Sequence, residues 1–284
     1  FPIKKEIIFY LYKDYNDKIM LKSNHPDYES SDQVVKLFDI PAINFDMVQQ
    51  YDGDRIESRS FNLLYEVNDR VNQNTVYFSC YTSTNPYHTE IPLYPMAKDM
   101  PQKDALFNRK GNKIAFLNYE INQRGYLPDL YVVDISECKD CSQFSEDYNN
   151  ELLELDYQKI DDNIINQEFW EDDSPIFTSY CWHPYKNILF YVKRIQTVDK
   201  SNQYPIYYYD LDSNEGPIKM DILTNYNKDL SVSKDGSYLL FSFSGLMYGA
   251  SDEVIHKTYF RNSNDSNIYK QTTRAVGLAK LIYD

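Results

Sequence analysis

The residues able to do chemistry are few and scattered. Four cysteines are present, and Cys138-Lys-Asp-Cys141 has the CxxC spacing of a redox pair or of half a zinc site. A thioredoxin-like role needs that pair at a helix start in a βαβ setting. Here it follows the strand-like run Leu130–Ile135 and precedes Ser-Gln-Phe-Ser-Glu-Asp. A structural zinc needs two more ligands, and no second CxxC pair exists. A loop-stapling disulfide, two free thiols, and metal or redox chemistry are the three readings of the pair. Cys80 and Cys181 lie in the strand-like runs Tyr77–Tyr81 and Phe177–Trp182 and read as buried thiols. The histidines His25, His88, His183 and His256 are far apart in sequence. His183 precedes Pro184 and fits a turn. His88 sits in a proline-rich stretch and could contact a ligand. The chain has no H-E-x-x-H, no G-x-S-x-G and no glycine-rich phosphate loop.

Carboxylates are the remaining candidates. Glu146-Asp147, Asp161-Asp162 and Glu171-Asp172-Asp173 could bind a cation, and Asp52-Gly-Asp-Arg-Ile-Glu57 has part of a calcium loop. Solvated loops explain these clusters more simply. A glycosidase-like carboxylate pair cannot be singled out from 43 acids. The sequence therefore nominates no catalytic residue, no metal ligand and no cofactor.

The elements that would position such residues are strands. Tyr and Phe number 28 and 15, and aromatic and β-branched side chains suit a pleated surface. Glycine is scarce at 8 residues, so Asn, Asp and Ser must make most turns. A phrase of polar turn plus apolar strand recurs at Asn108–Glu120, His183–Arg194 and Ser233–Gly245. The first two are followed by a second strand, Pro128–Ile135 and Pro205–Leu211. Turns are too closely spaced for helical crossovers. Recurrence of one supersecondary unit predicts a repeat architecture: a single all-β domain over residues 1–284 built as a β-propeller of four-stranded antiparallel blades. Six blades of about 47 residues each suit the length, and four or five blades with long excursions also fit it; six are favoured, with degenerate N-terminal blades and long inter-blade loops. Residues Asp147–Ile160 read either as a short helix or as irregular acidic surface. The stretch Thr82–Gln102, with Pro86, Pro92, Pro95 and Pro101, reads as an ordered loop or an edge.

The repeated phrases resemble the β-propeller repeats of the TolB and tricorn-type family, which are WD40-like. Lys110-Gly-Asn-Lys-Ile-Ala-Phe116 with Asp129-Leu-Tyr-Val-Val-Asp134 carries the resemblance best. Lys234-Asp-Gly-Ser-Tyr-Leu-Leu-Phe241 matches the first half, and His183–Phe190 with Ile206–Asp210 is a looser copy. Phe116, Phe190 and Phe241 are expected between neighbouring sheets, with Tyr131 and Tyr207 stacked inside their blades. The interval from Phe116 to Phe190 is much longer than that from Phe190 to Phe241, which calls for an insertion.

The resemblance implies a protein-binding surface, often at a cell envelope. The expected function is a non-enzymatic binding or scaffold propeller that recognises a protein or peptide through inter-blade loops. Tyr81, Tyr87, His88, Tyr94 and Tyr148, in or beside Thr82–Gln102 and Glu146–Glu171, are the candidate partner-binding residues. The alternatives are a carbohydrate-active or other hydrolytic propeller with carboxylates in its central funnel, and an accessory propeller separated from a peptidase domain. A net charge of −14 disfavours a nucleic-acid partner. No apolar stretch is long enough to span a membrane, and Phe1-Pro-Ile-Lys-Lys-Glu lacks the pattern of a signal peptide. The resemblance favours the periplasm, envelope or exterior, with the cytoplasm left open.

Overall fold

The computed structural model describes residues 9–13, 19–23, 33–37, 42–49, 61–69, 73–81, 90–92, 102–119, 127–136, 156–165, 180–220, 227–236, 238–246, 254–262 and 269–273. The described residues form strands and turns, with no α-helix among them. The strands fall into successive antiparallel meanders. Sheet 1 holds β1 (Phe9–Lys13), β2 (Ile19–Ser23) and β3 (Gln33–Leu37). Sheet 2 holds β4 (Ala42–Gln49), β5 (Phe61–Asp69), β6 (Gln73–Tyr81) and β7 (Glu90–Pro92). Sheet 3 holds β8 (Gln102–Phe107), β9 (Lys113–Asn118), β10 (Asp129–Asp134) and β11 (Tyr157–Asp161). Sheet 4 holds β12 (Tyr180–Trp182), β13 (Ile188–Val192), β16 (Ile206–Asp210) and β17 (Ile218–Lys219). Its β13–β16 connection carries a separate hairpin, β14 (Ile195–Gln196) with β15 (Asn202–Gln203). Sheet 5 holds β18 (Asn227–Val232), β19 (Tyr238–Leu246), β20 (Val254–Asn262) and β21 (Tyr269–Thr273). Each four-stranded sheet pairs its strands in sequence order, as a propeller blade does. Contacts divide the chain within β8 into two compact units, Phe1–Ala105 and Leu106–Asp284.

One expectation needs correction. Residues Tyr157–Asp161 are the outer strand of sheet 3, not part of a helix, because Leu130, Tyr131, Val132 and Val133 of β10 offer them a free ladder edge. The proline-rich stretch supplies an edge strand, one of the two readings of it: β7 pairs with β6, and Pro92 stands opposite Tyr77. Proline's missing N–H is tolerated there because β7 is outermost.

The aromatic residues reveal the repeat more fully than the turn phrase does. The second and third strands of sheets 2 to 5 pair Tyr65 with Tyr77, Phe116 with Tyr131, Tyr191 with Tyr207, and Phe241 with Tyr259. The first three pairs stack at ring separations of 5.4, 5.9 and 6.0 Å with nearly parallel planes. Stacked cross-strand aromatic pairs stabilise a sheet beyond simple burial. Tyr191, not Phe190, is therefore the counterpart of Phe116 and Phe241. A one-residue shift reverses the face of a strand. Phe190 accordingly points toward sheet 5, in a cluster with Val192, Ile206, Leu230, Leu239 and Phe241. Leu189 and Tyr191 point toward sheet 3, where they pack with Ala115, Leu117, Leu130 and Ile164. Phe116 is fully buried against Tyr131 and Tyr157.

Candidate binding face at the end of sheets 3 and 4

Strand directions give sheets 3 to 5 two ends. At one end lie the turns that join the first and second strands of each sheet. At the other lie the connections between sheets and the β14–β15 hairpin. The latter end holds Asp161–Ile165, the described residues of the Glu146–Glu171 excursion that close and follow β11.

After β11 the chain crosses to sheet 4. Asn163 turns it in the left-handed region, at φ 57°, a conformation that Asn tolerates better than most residues. Ile164 then bridges Lys193. The Arg194 N–H donates to the Asn163 carbonyl at 2.9 Å, and the Ile165 N–H donates to the Val192 carbonyl at 3.0 Å. Ile164 and Ile165 are fully buried. They drive the crossing, and the backbone bonds fix its register.

Asp161 ties the side chains together. The Tyr191 hydroxyl donates to its Oδ2 at 2.7 Å, and the Lys193 ammonium bonds its Oδ1. Lys193 also pairs with Asp162 at 2.9 Å and lies 6.0 Å over the Tyr207 ring. Lys159 pairs with Asp129 at 2.5 Å. Burial pushes the Tyr191 phenol up, and the Asp161 bond and charge push it further. Burial alone would raise the Asp162 carboxyl, but bonds from Lys193 and Asn163 and the Lys193 charge hold it below the ordinary value. Burial would lower Lys193, yet bonds to Asp161 and Asp162 raise it. The Asp162 and Lys193 shifts both favour the charged pair, and the Tyr191 shift keeps its hydroxyl a donor. A general acid at neutral pH needs the opposite, a carboxyl raised by its surroundings.

The hairpin beside this network is rigid at its tip. The Thr197 N–H donates to the Ser201 carbonyl and the Lys200 N–H to the Thr197 carbonyl, both at 2.9 Å. Lys200 has φ 65°. Asp199 Oδ1 accepts from the Thr197 hydroxyl, the Ser201 hydroxyl at 2.8 Å and the Ser201 N–H at 3.2 Å. Those bonds lower its carboxyl to about 2. Val198, at the crest, is fully exposed. Sequence reading passed over this hairpin, although Thr197-x-Asp199-x-Ser201 is the residue set that builds such self-bonded turns.

Of the sequence-nominated contact residues, Tyr81 ends β6. Tyr87, His88, Tyr94 and Tyr148 lie outside the described residues, as do Cys138 and Cys141. His183 is buried with a structural role: its Nδ1 accepts the Tyr185 and Lys186 N–H groups at 3.1 and 3.2 Å. Cys181 is a free thiol packed against the sheet 4–sheet 5 cluster, and burial pushes it up. In the first unit, Glu66 is buried and accepts the Asp104 N–H at 3.3 Å. The cavity beside it, about 10 Å³, has room for a water and not for a sugar ring. Among the described residues no three His, Cys, Asp or Glu side chains gather as metal ligands, and no helix is long and apolar enough to cross a membrane.

No family model and no curated protein matches the chain. Solved structures do. A puromycin-hydrolyzing peptidase of Mycobacterium tuberculosis superposes with a TM-score of 0.51 at 7% identity, over 97% of this chain and 38% of that one. The β-propeller domain of the trilobed protease from Pyrococcus furiosus gives 0.45 at 10% identity, over 83% of this chain and 58% of that one. A TolB-like protein from Agrobacterium tumefaciens gives 0.45 at 11% identity, over 86% and 66%. This chain spans less than two thirds of the length of each. The sequential four-stranded meanders, with the first of these superpositions, identify the fold as a β-propeller of the kind the TolB and tricorn-type resemblance implied.

Proposed function

We propose that this chain is a single-domain binding or scaffold propeller that takes a protein or peptide partner on its inter-blade excursions. The observation that carries the reading is the β14–β15 hairpin. Its turn is fixed by hydrogen bonds from Thr197 and Ser201, yet it holds a bare valine in water. One exposed apolar residue is ordinary. An exposed apolar residue on a preorganised crest, beside the locked Asp161–Ile165 connection, is suited to contact. A rigid surface loses little conformational entropy when it binds.

The same reading keeps Tyr81, Tyr87, His88, Tyr94 and Tyr148 as further anchors and favours an envelope or extracellular setting. Among the described residues the carbohydrate-active alternative has less support, because the carboxyls Asp134 and Asp162 are held down, not raised. Affinity capture from the native source tests the proposal. The wild-type chain should retain a partner that Val198→Asp loses by about tenfold or more, with the fold unchanged by circular dichroism. Equal retention by a folded Val198→Asp chain would remove the hairpin from the interface.

A further inference from the structure

The opposite end of sheets 3 to 5 carries the turns that join first to second strands. Asn108 and His183 hold the same place in the first two of these turns. The Asn108 N–H donates to the Lys113 carbonyl at 2.9 Å, and the His183 N–H donates to the Ile188 carbonyl at 2.8 Å. Each side chain then folds back on its own turn. Asn108 Oδ1 accepts the Asn112 and Lys113 N–H groups at 3.0 and 3.1 Å. His183 Nδ1 accepts the Tyr185 and Lys186 N–H groups at 3.1 and 3.2 Å. One turn is thus closed by an amide oxygen, which does not titrate, and the next by an imidazole nitrogen, which does.

The ring is held on its other side as well. His183 is buried. It rests on Gly236 of the third turn so closely that a Cβ there would lie 2.6 Å from its Cε1 and 2.7 Å from its Nε2, and it bonds the Gly236 backbone. A nitrogen that accepts hydrogen bonds carries no proton, so the neutral ring is the Nε2–H tautomer. Protonation puts a hydrogen on Nδ1. The Tyr185 and Lys186 N–H groups then lose their acceptor and face a third donor. Leaving buried donors unpaired is costly, and Gly236 leaves the ring no room to back away. The turn itself must give.

We infer that His183 is a proton-operated latch: neutral, it holds the β12–β13 turn shut against the β18–β19 turn, and protonated it lets that turn open. The charges around the ring have both signs. Lys186 on its own turn, Lys234 on the third turn, and Arg109 and Lys110 on the first oppose an imidazolium. Asp235 on the third turn, with Asp210 and Asp212 at the end of β16, favours one. Burial is the largest influence, and with the Lys186 charge it holds the ring below its ordinary value of 6.5 despite the Gly236 bond. The closed turn therefore binds fewer protons than the open one. Opening gains as pH falls below 6.5 and levels off below the closed-state value. Asn187, on the same turn, accepts from Asn108 Nδ2 at 3.1 Å, so opening loosens the tie to sheet 3 as well as that to sheet 5. The Thr197–Ser201 hairpin shares none of these bonds and stays shut.

The test is amide hydrogen exchange on the full chain, followed residue by residue by NMR and expressed as protection relative to the unfolded rate at each pH. Between about pH 7.5 and about pH 5, a window that spans the histidine range, the Tyr185 and Lys186 amides should lose about fivefold or more of their protection, the equivalent of one hydrogen bond each. The loss should reverse when the pH is restored, and the Thr197 and Lys200 amides of the hairpin should keep theirs. His183→Asn supplies an amide oxygen that can accept N–H groups two and three residues on and cannot titrate, so its Tyr185 and Lys186 amides should stay protected across the range. A second measurement needs no variant: ring nitrogen-15 shifts of the wild type should show His183 as the Nε2–H tautomer at about pH 7.5. Four results would each overturn the inference. They are unchanged protection while the ring titrates, an Nδ1–H ring at neutral pH, the same acid loss in a folded His183→Asn chain, and loss at all amides together.

Discussion

At the scale of single residues, the network around Asp161 is the clearest case of sequence read through chemistry. Tyr191 is fully buried and donates to Asp161. Tyr191→Phe keeps the stacked ring and deletes the donor. It should cost about 1 kcal/mol in chemical denaturation, the usual net value of one hydrogen bond. The pH dependence has a definite sign. Asp162 is held below its ordinary value of 3.8, so its contribution is present above that pH and lost as pH falls through the lower folded value. Lys193 is held above 10.5, so its contribution is present below that pH and lost as pH rises through the raised folded value. A profile of Tm against pH should therefore fall at both ends, and Lys193→Met should reduce both falls. His183 adds a third slope. Burial and the Lys186 charge lower its value despite a bond with the Gly236 backbone. The folded state then binds fewer protons than the unfolded chain, and stability should rise with pH up to about 6.5. Asp161-Asp162 could be seen in the sequence as an acidic pair. Its partners could not, because Tyr191 and Lys193 come from another sheet.

At the scale of elements, the turns were legible and the strand faces less so. Asn108, Gly111, Asp235 and Gly236 mark their turns by type, and both glycines adopt positive φ, 67° and 73°. Gly236→Ala combines that backbone cost with the His183 contact. It should destabilise by about 2 kcal/mol or more in urea denaturation, whereas Gly216→Ala, where a Cβ meets nothing within 4 Å, should be nearly neutral. Counting from the turn residue, and not matching Phe to Phe, places Tyr191 with Phe116 and Phe241. The phrase alone hid this because Phe190 is the nearest look-alike. β11 was illegible for a different reason: Tyr-Gln-Lys-Ile-Asp is polar on its outer face, as an edge strand with exposed Gln158 and Lys159 must be, and a polar outer strand has no clear period of its own.

At the scale of the whole molecule, recurrence was enough to read a propeller, and the aromatic pair in sheet 2 extends the repeat to a region where the turn phrase had faded. Function was less legible because propeller cores are filled by the same apolar and aromatic residues whatever the ends bind. The proposed reading puts specificity in short segments such as Thr197–Ser201, whose composition reads only as a turn until its exposed crest is seen. The account's central claim is that this crest meets a protein partner. A photo-crosslinking residue placed at position 198 tests it most directly in extract of the native source. The account predicts one dominant protein adduct, suppressed by excess wild-type chain and missing when the crosslinker is moved to the buried position of Leu189. Adducts that excess wild-type chain does not suppress, together with hydrolysis of a glycan or peptide panel by the purified chain, would contradict it.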